Sequence, residues 1–190
     1  MSPPREPGNV QQLPLADHGP PVLDGEAIKR ARRAALLPAE AAAEALWRQG
    51  LVKLLNDSLA TELVCVLRYK RHHYTAHGLA SPRIAEEFAV HAAEELVHAD
   101  RLARRIVQLG GAPDFAPDTL SARSHAPYDA SAGLTAMIAC NLSAERVAIE
   151  SYGQLVRLVG TRDPTTRRLL EDILADEQKH AEELAGWLTE

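Results

Sequence analysis

Four long stretches of this chain repeat apolar residues every three or four positions, and each stripe is broken by a glutamate where an apolar residue is expected. The stripes read Leu51, Leu55, Leu59, Glu62, Val66, Tyr69; Ile84, Phe88, His91, Glu95, His98, Leu102; Leu134, Ile138, Leu142, Glu145, Ile149, Tyr152; and Leu170, Ile173, Glu177, His180, Leu184, Trp187. Spacing of this kind makes four helices whose inward faces each carry a carboxylate. Burying an unpaired carboxylate costs several kcal/mol even after relaxation, in round figures, so four together need compensating positive charge. No lysine or arginine stands in the stripes.

The punctuation between the stripes sets the topology. The first helix is expected from about Pro38 to His77, stopping at Gly78, and the second opens at Ser81-Pro82 and stops at Gly110-Gly111. A proline-bearing connection over 112–127 leads to a third helix from near Asp129 to Gly160, and Asp163-Pro164 caps a fourth that runs almost to Glu190. Short turns make two antiparallel hairpins and the long link joins them. The expected fold is therefore all-α, an antiparallel four-helix bundle with one long crossover over 39–190. Aromatic residues make up only 4% of the chain and Ala, Leu, Glu and Arg abound, as helices favour.

Residues 1–38 carry seven prolines and three glycines and read as an extended, partly flexible arm with room for a short helix from about Gly25 to Leu37. That helix would present Lys29, Arg30, Arg32 and Arg33, either as a solvated basic turn or as a weak contact with DNA or a neighbouring subunit. A net charge of −5 argues against nucleic-acid binding as the main task. Two cysteines, Cys65 and Cys140, are too few for a disulfide scaffold and suit a reducing cytoplasm. The N-terminal residues hold no continuous apolar run, so neither a secretory signal nor a membrane span is expected.

The buried acids fall into a repeated pattern. Glu62 is followed by Glu95-x-x-His98 and Glu145 by Glu177-x-x-His180, with separations of 33 and 32 residues. Counted from the turns near residues 79 and 162, the paired glutamates differ in distance by one residue in the first hairpin and two in the second. At about 1.5 Å of rise per residue all four share one layer. Residues three apart on a helix face the same side, so one cation can take the imidazole while the carboxylate reaches a second. Carboxylate-rich ligation with one imidazole per ion suits iron or manganese better than structural zinc.

At these residues the chain resembles the ferritin-like superfamily, most closely bacterioferritins and Dps-like ferritins with a bacterioferritin-type di-iron ferroxidase centre. The similarity runs through Leu54 to Leu63, Glu95-Leu96-Val97-His98-Ala99-Asp100, Ala144-Glu145 and Leu169 to His180, within about residues 45–188. The resemblance implies that Glu62, Glu95, His98, Glu145, Glu177 and His180 are ferroxidase ligands for two iron ions per subunit, with Glu95 and Glu177 bridging. It implies oxidation of Fe(II) with O2 or H2O2 and storage of ferric mineral in a hollow homo-oligomeric shell. Haem-binding members place a methionine immediately after the bridging glutamate of helix two; here that place is Leu96, so no haem is expected. Bacterioferritins also carry a short fifth helix, whereas this chain ends ten residues after His180, so a dodecamer is expected in preference to 24 subunits.

Tyr69 and Tyr152 each stand seven residues after a ligand glutamate and join the candidate site, either by bonding a ligand carboxylate or as one-electron donors. His91, one turn before Glu95, is an accessory iron ligand or a satisfied core histidine; Cys65 and Cys140 are small buried hydrophobes or a redox pair. His72, His73 and His77 cluster at the end of the first helix and read as surface or interface residues. Two other functions stay open: a DNA-binding protective shell of Dps type, and a di-metal oxidoreductase consuming peroxide, like manganese catalase or rubrerythrin. No Cys-x-x-Cys pair is present to hold a rubredoxin-type iron.

Overall fold

A computed structural model of the protein describes residues 23–34, 38–77 and 81–189. Among these residues six helices follow in order: α1 (Gly25–Ala34), α2 (Pro38–Thr75), α3 (Ser81–Gln108), α4 (Leu120–Arg123), α5 (Leu134–Val159) and α6 (Pro164–Trp187). No strand occurs among the described residues. The described residues up to Ala43 and those from Glu44 onward form separate compact units. In the first, α1 is started by Asp24, whose carboxylate accepts from the backbone N–H groups of Glu26 and Ala27 at 2.9 and 3.0 Å. Its length falls within the Gly25–Leu37 window, but residues 35–37 lie outside the described set.

The second unit is built on the stripes. Every first- and second-stripe residue is buried, and so are the others except Leu134, Ile149 and Trp187, which are half-buried. One apolar cluster joins Leu51, Leu55 and Leu59 of α2 to Leu102 and Ile106 of α3, Leu155 and Val159 of α5, and Leu170 and Ile173 of α6. A second joins Cys65 and Tyr69 of α2 to Ile84 and Phe88 of α3, Met137 and Ile138 of α5, and Leu184 of α6. The early part of α2 thus packs with the late parts of α3 and α5, and the reverse holds at the other end. Helices α2 and α6 run one way and α3 and α5 the other, which is the antiparallel bundle with a long crossover. The glutamate layer lies between the two apolar clusters.

The crossover is pinned along α2. Asn56 donates to the Ala112 carbonyl at 3.1 Å and accepts from the Asp114 N–H at 2.7 Å; Thr61 accepts from the His125 N–H at 2.9 Å; Arg68 and Arg71 donate to the carbonyls of Pro127 and Ala130 at 3.2 and 3.4 Å. At its start Gly111 approaches α2 so closely that a Cβ would stand 2.5 Å from Val52 Cγ1. The link contains the single helical turn α4, which its prolines conceal. It also extends further than the sequence implies: α5 begins at Leu134 rather than near Asp129, because Gly133 before it has φ of +96°, outside helical space. Asp163 caps α6 by accepting from the Thr166 N–H at 3.0 Å, with Pro164 in the first turn. The α2–α3 turn, residues 78–80, lies outside the described set.

Candidate metal centre

The layer of glutamates is closed to water. Glu62, Glu95, Glu145, Glu177, His98 and His180 are each at most 2% exposed. Their donor atoms fall into two overlapping groups, Glu62, Glu95, His98 and Glu177 in one and Glu95, Glu145, Glu177 and His180 in the other, with the atoms of each group within 4.8 Å of one another. Glu95 and Glu177 belong to both. His98 Nδ1 lies 3.5, 3.3 and 3.1 Å from oxygens of Glu62, Glu95 and Glu177, while His180 Nδ1 lies 3.5 and 3.6 Å from oxygens of Glu95 and Glu177.

Outer partners orient both rings. His98 Nε2 faces Asp176 at 3.2 Å and His180 Nε2 faces Glu94 at 2.7 Å, so each imidazole keeps Nδ1 for the centre. The tyrosines cross the bundle: Tyr69 of α2 donates to Glu145 of α5, and Tyr152 of α5 donates to Glu62 of α2. His91 packs against His180 with ring centroids 4.2 Å apart, and its nitrogens meet the Tyr69 hydroxyl at 3.2 Å and Glu183 at 2.9 Å.

Burial pushes Glu62 well above the usual carboxylate range, and the charges of Glu95 and Glu177 reinforce the rise; Glu145 is raised by the same three causes. Glu95 goes the other way. Burial alone would raise it, but the Glu62 carboxyl and the rings of His180 and His98 beside it take it below the range. Burial opposes charge on the histidines too, yet the carboxylates of Glu177, Glu62 and Glu95 raise His98, and those of Glu177 and Glu95 lift His180 to about 11.

Oxygens of Glu62, Glu95, Glu145 and Glu177 and the Nδ1 of His180 are buried without a hydrogen-bond partner. Native proteins rarely tolerate such a concentration of orphans, and a pair of cations would satisfy them together. Four carboxylates and two imidazoles with no thiolate is a donor set that suits iron or manganese.

The ferritin-like domain matches residues 52–190, the same part of the chain that builds this centre. The chain belongs to the ferritin family. This ferritin-like chain is 27% identical over 131 residues to the bacterioferritin of Desulfovibrio desulfuricans, covering 68% of this chain and 69% of that one. It is 29% identical over 137 residues to a nutrient stress-induced DNA-binding protein of Synechococcus, covering 70% and 78%. Among solved structures, the dodecameric thioferritin of Bacteroides fragilis superposes with a TM-score of 0.73 at 29% identity, covering 75% of this chain and 86% of that one.

Two buried residues of this ferritin, His72 and Arg68, are not marked as such by the sequence. His72, taken as a surface or interface residue, is fully buried, because it stands three residues beyond Tyr69 and continues the α2 stripe by one turn. His77 is exposed, while half-buried His73 bonds the Ala85 carbonyl at 2.6 Å. Arg68 is also fully buried, donating to Asn141 Oδ1 at 2.8 Å and to Cys65 Sγ at 3.1 Å. It stands beside the stripe, and nothing in its spacing marks it. Leu96 is 45% exposed, Cys65 is buried and Cys140 half-buried, both as free thiols.

Proposed function

We propose that this chain oxidises ferrous iron at the six-residue centre and, as a subunit of a hollow homo-oligomeric shell, stores the ferric product as mineral. The observation that carries this reading is the set of orphaned oxygens on four buried glutamates, gathered with two oriented imidazoles in one dry layer. Iron is the substrate. Glu62, Glu95, His98 and Glu177 would hold one ion and Glu95, Glu145, Glu177 and His180 the other, with Glu95 and Glu177 bridging. Two ferrous ions supply one electron each, which reduce O2 to H2O2, or H2O2 to water, with two protons consumed in either case. The chain's own work is to fix the spacing of the ions and exclude water.

The dodecameric B. fragilis relative supports a shell of twelve subunits, Leu96 at the haem-methionine place supports a haem-free shell, and two free cysteines support the cytoplasm. Anaerobic loading with Fe(II), followed by O2 or H2O2 in separate arms and read by ferric absorbance beside solution mass, tests the reading. A particle far above the 20.7 kDa chain that retains a ferric core is expected. A monomer that retains none overturns it.

One observation favours a second role. The described basic residues Lys29, Arg30, Arg32 and Arg33 are exposed on α1, and many copies on one shell would turn weak phosphate contacts into avidity. Lys29 and Arg30 already face Glu26 and Asp24 at 2.8 and 3.5 Å, which reduces the charge on offer. A gel shift that is absent both with and without residues 1–38 rejects DNA binding.

A further inference from the structure

Eight buried side-chain nitrogen and oxygen atoms lack a hydrogen-bond partner among the described residues, and six of them belong to the glutamate layer. Of the other two, one is the hydroxyl of Ser58 and one is His72 Nε2. We propose that His72 of α2, Asp129 of the crossover and Cys140 of α5 form a separate site for one borderline-soft divalent cation of the zinc type. It shares no ligand with the glutamate layer.

The ring of His72 is fixed and fully buried, tilted against Phe88 with centroids 5.9 Å apart and held at Nδ1 by the Asn141 amide at 3.0 Å. Nε2 therefore has one direction available. It faces Asp129 Oδ1 at 3.9 Å, too long for a hydrogen bond, and the donor atoms of His72, Asp129 and Cys140 all lie within 4.8 Å of one another. Tetrahedral ligands at about 2.0–2.3 Å from zinc stand roughly 3.5 Å apart, so a cation between these atoms needs only a small contraction.

Asp129 is held in place from both sides. Arg68 and Arg71 grip the carbonyls of Pro127 and Ala130, and the Ser131 N–H donates to Asp129 Oδ1 at 2.8 Å. Its side chain is 36% exposed, which leaves a path from solvent and room for water as a fourth ligand. The Cys140 thiol, pushed up to about 12 by burial and by Asp129, stays protonated until a cation replaces its proton, which then leaves to solvent. One thiolate and one carboxylate balance a divalent charge. A nitrogen, oxygen and sulfur donor set also differs in kind from the all-oxygen-and-nitrogen glutamate layer.

Asn141 supplies a lever. Its Oδ1 accepts from Arg68 Nε at 2.8 Å, so its Nδ2 meets His72 Nδ1 and places the imidazole proton on Nε2. Loading the cation moves that proton to Nδ1 and turns the amide. An aspartate at this position would accept from both neighbours without turning.

Cobalt(II) titration of the purified full chain reads the site directly, since near-ultraviolet thiolate-to-cobalt charge transfer requires sulfur ligation and the glutamate layer has no sulfur. The expected result is a saturable thiolate band whose amplitude corresponds to one sulfur-ligated ion per chain, displaced by zinc, lost in Cys140→Ser, and shifted to about tenfold weaker affinity in Asp129→Asn. Asn141→Asp tightens it. No thiolate band overturns the proposal, as does a band that survives Cys140→Ser or has unchanged affinity in Asp129→Asn. Should Cys140→Ser fail to fold, the partly exposed Asp129→Asn variant decides alone.

Discussion

Tyr69 on α2 bonds Glu145 on α5, and so ties a carboxylate of one hairpin to a helix of the other. Tyr152 and Glu62 repeat the tie in the opposite sense. Each tyrosine therefore steadies the first glutamate of the other hairpin, and the two ties act across the same layer.

Tyr69→Phe and Tyr152→Phe should fold, because the rings keep their packing while losing only the hydroxyl. Cobalt binding to the glutamate layer should weaken by about tenfold or more in each, as expected when a ligand loses its orienting partner. Calorimetric titration checks this, and wild-type affinity in both would show that the ties do not orient the acids.

Glu145→Gln separates function from stability. Burial holds the Glu145 carboxyl well above its unfolded value, which lowers the stability of the metal-free fold at neutral pH, so the neutral isostere should raise the metal-free melting temperature, a gain of ~1–4 kcal/mol in stability. The same variant should lose most of the stabilisation that added Co(II) gives the wild type. A lower metal-free melting temperature would mean that Glu145 serves the fold.

Metal loading should release protons. Glu62 and Glu145 are raised by burial, His98 by its carboxylate partners, and His180 stands at about 11, so all four hold protons more tightly than free side chains do and a cation must displace them. Protons and cations compete, and affinity should fall as pH falls from about 8 to 6. An indicator-dye titration should record more than one proton per ion, and a pH-independent affinity contradicts the competition.

Asp163 is a stability residue. Burial would raise its carboxyl, but the Thr166 hydrogen bonds and Arg105 at 2.6 Å hold it below the usual range of about 4. A depressed folded value contributes stability above the unfolded value and loses it as pH falls through the folded one. Asp163→Ala should cost ~1–2 kcal/mol at neutral pH, and the difference from wild type should shrink below pH ~4. Denaturant melts at both pH values check it.

The periodic parts of this molecule could be read from the chain because period, proline and glycine act locally. Stripe positions such as Leu55, Phe88 and Ile173 are buried as their phase requires, and Asp163-Pro164 starts α6. The cross-bundle bonds could not be read, since which helix faces Tyr69 depends on packing between segments 76 residues apart. Arg68 gave no sign either: an arginine next to a stripe ordinarily extends to water, and only folding brings over it the Pro127 carbonyl of the crossover and the Asn141 amide of α5 that satisfy it. The late start of α5 follows from one backbone angle at Gly133, which glycine permits without requiring.

The two donor groups divide unequally between the hairpins, three residues from one and a single glutamate from the other in each case. Neither half of the chain can close a pocket by itself, and an ion seated in either one clasps both halves. Occupancy then works as a latch: pulling the hairpins apart must empty both positions at once, so each captured cation slows the opening of the whole bundle and not merely of its own neighbourhood.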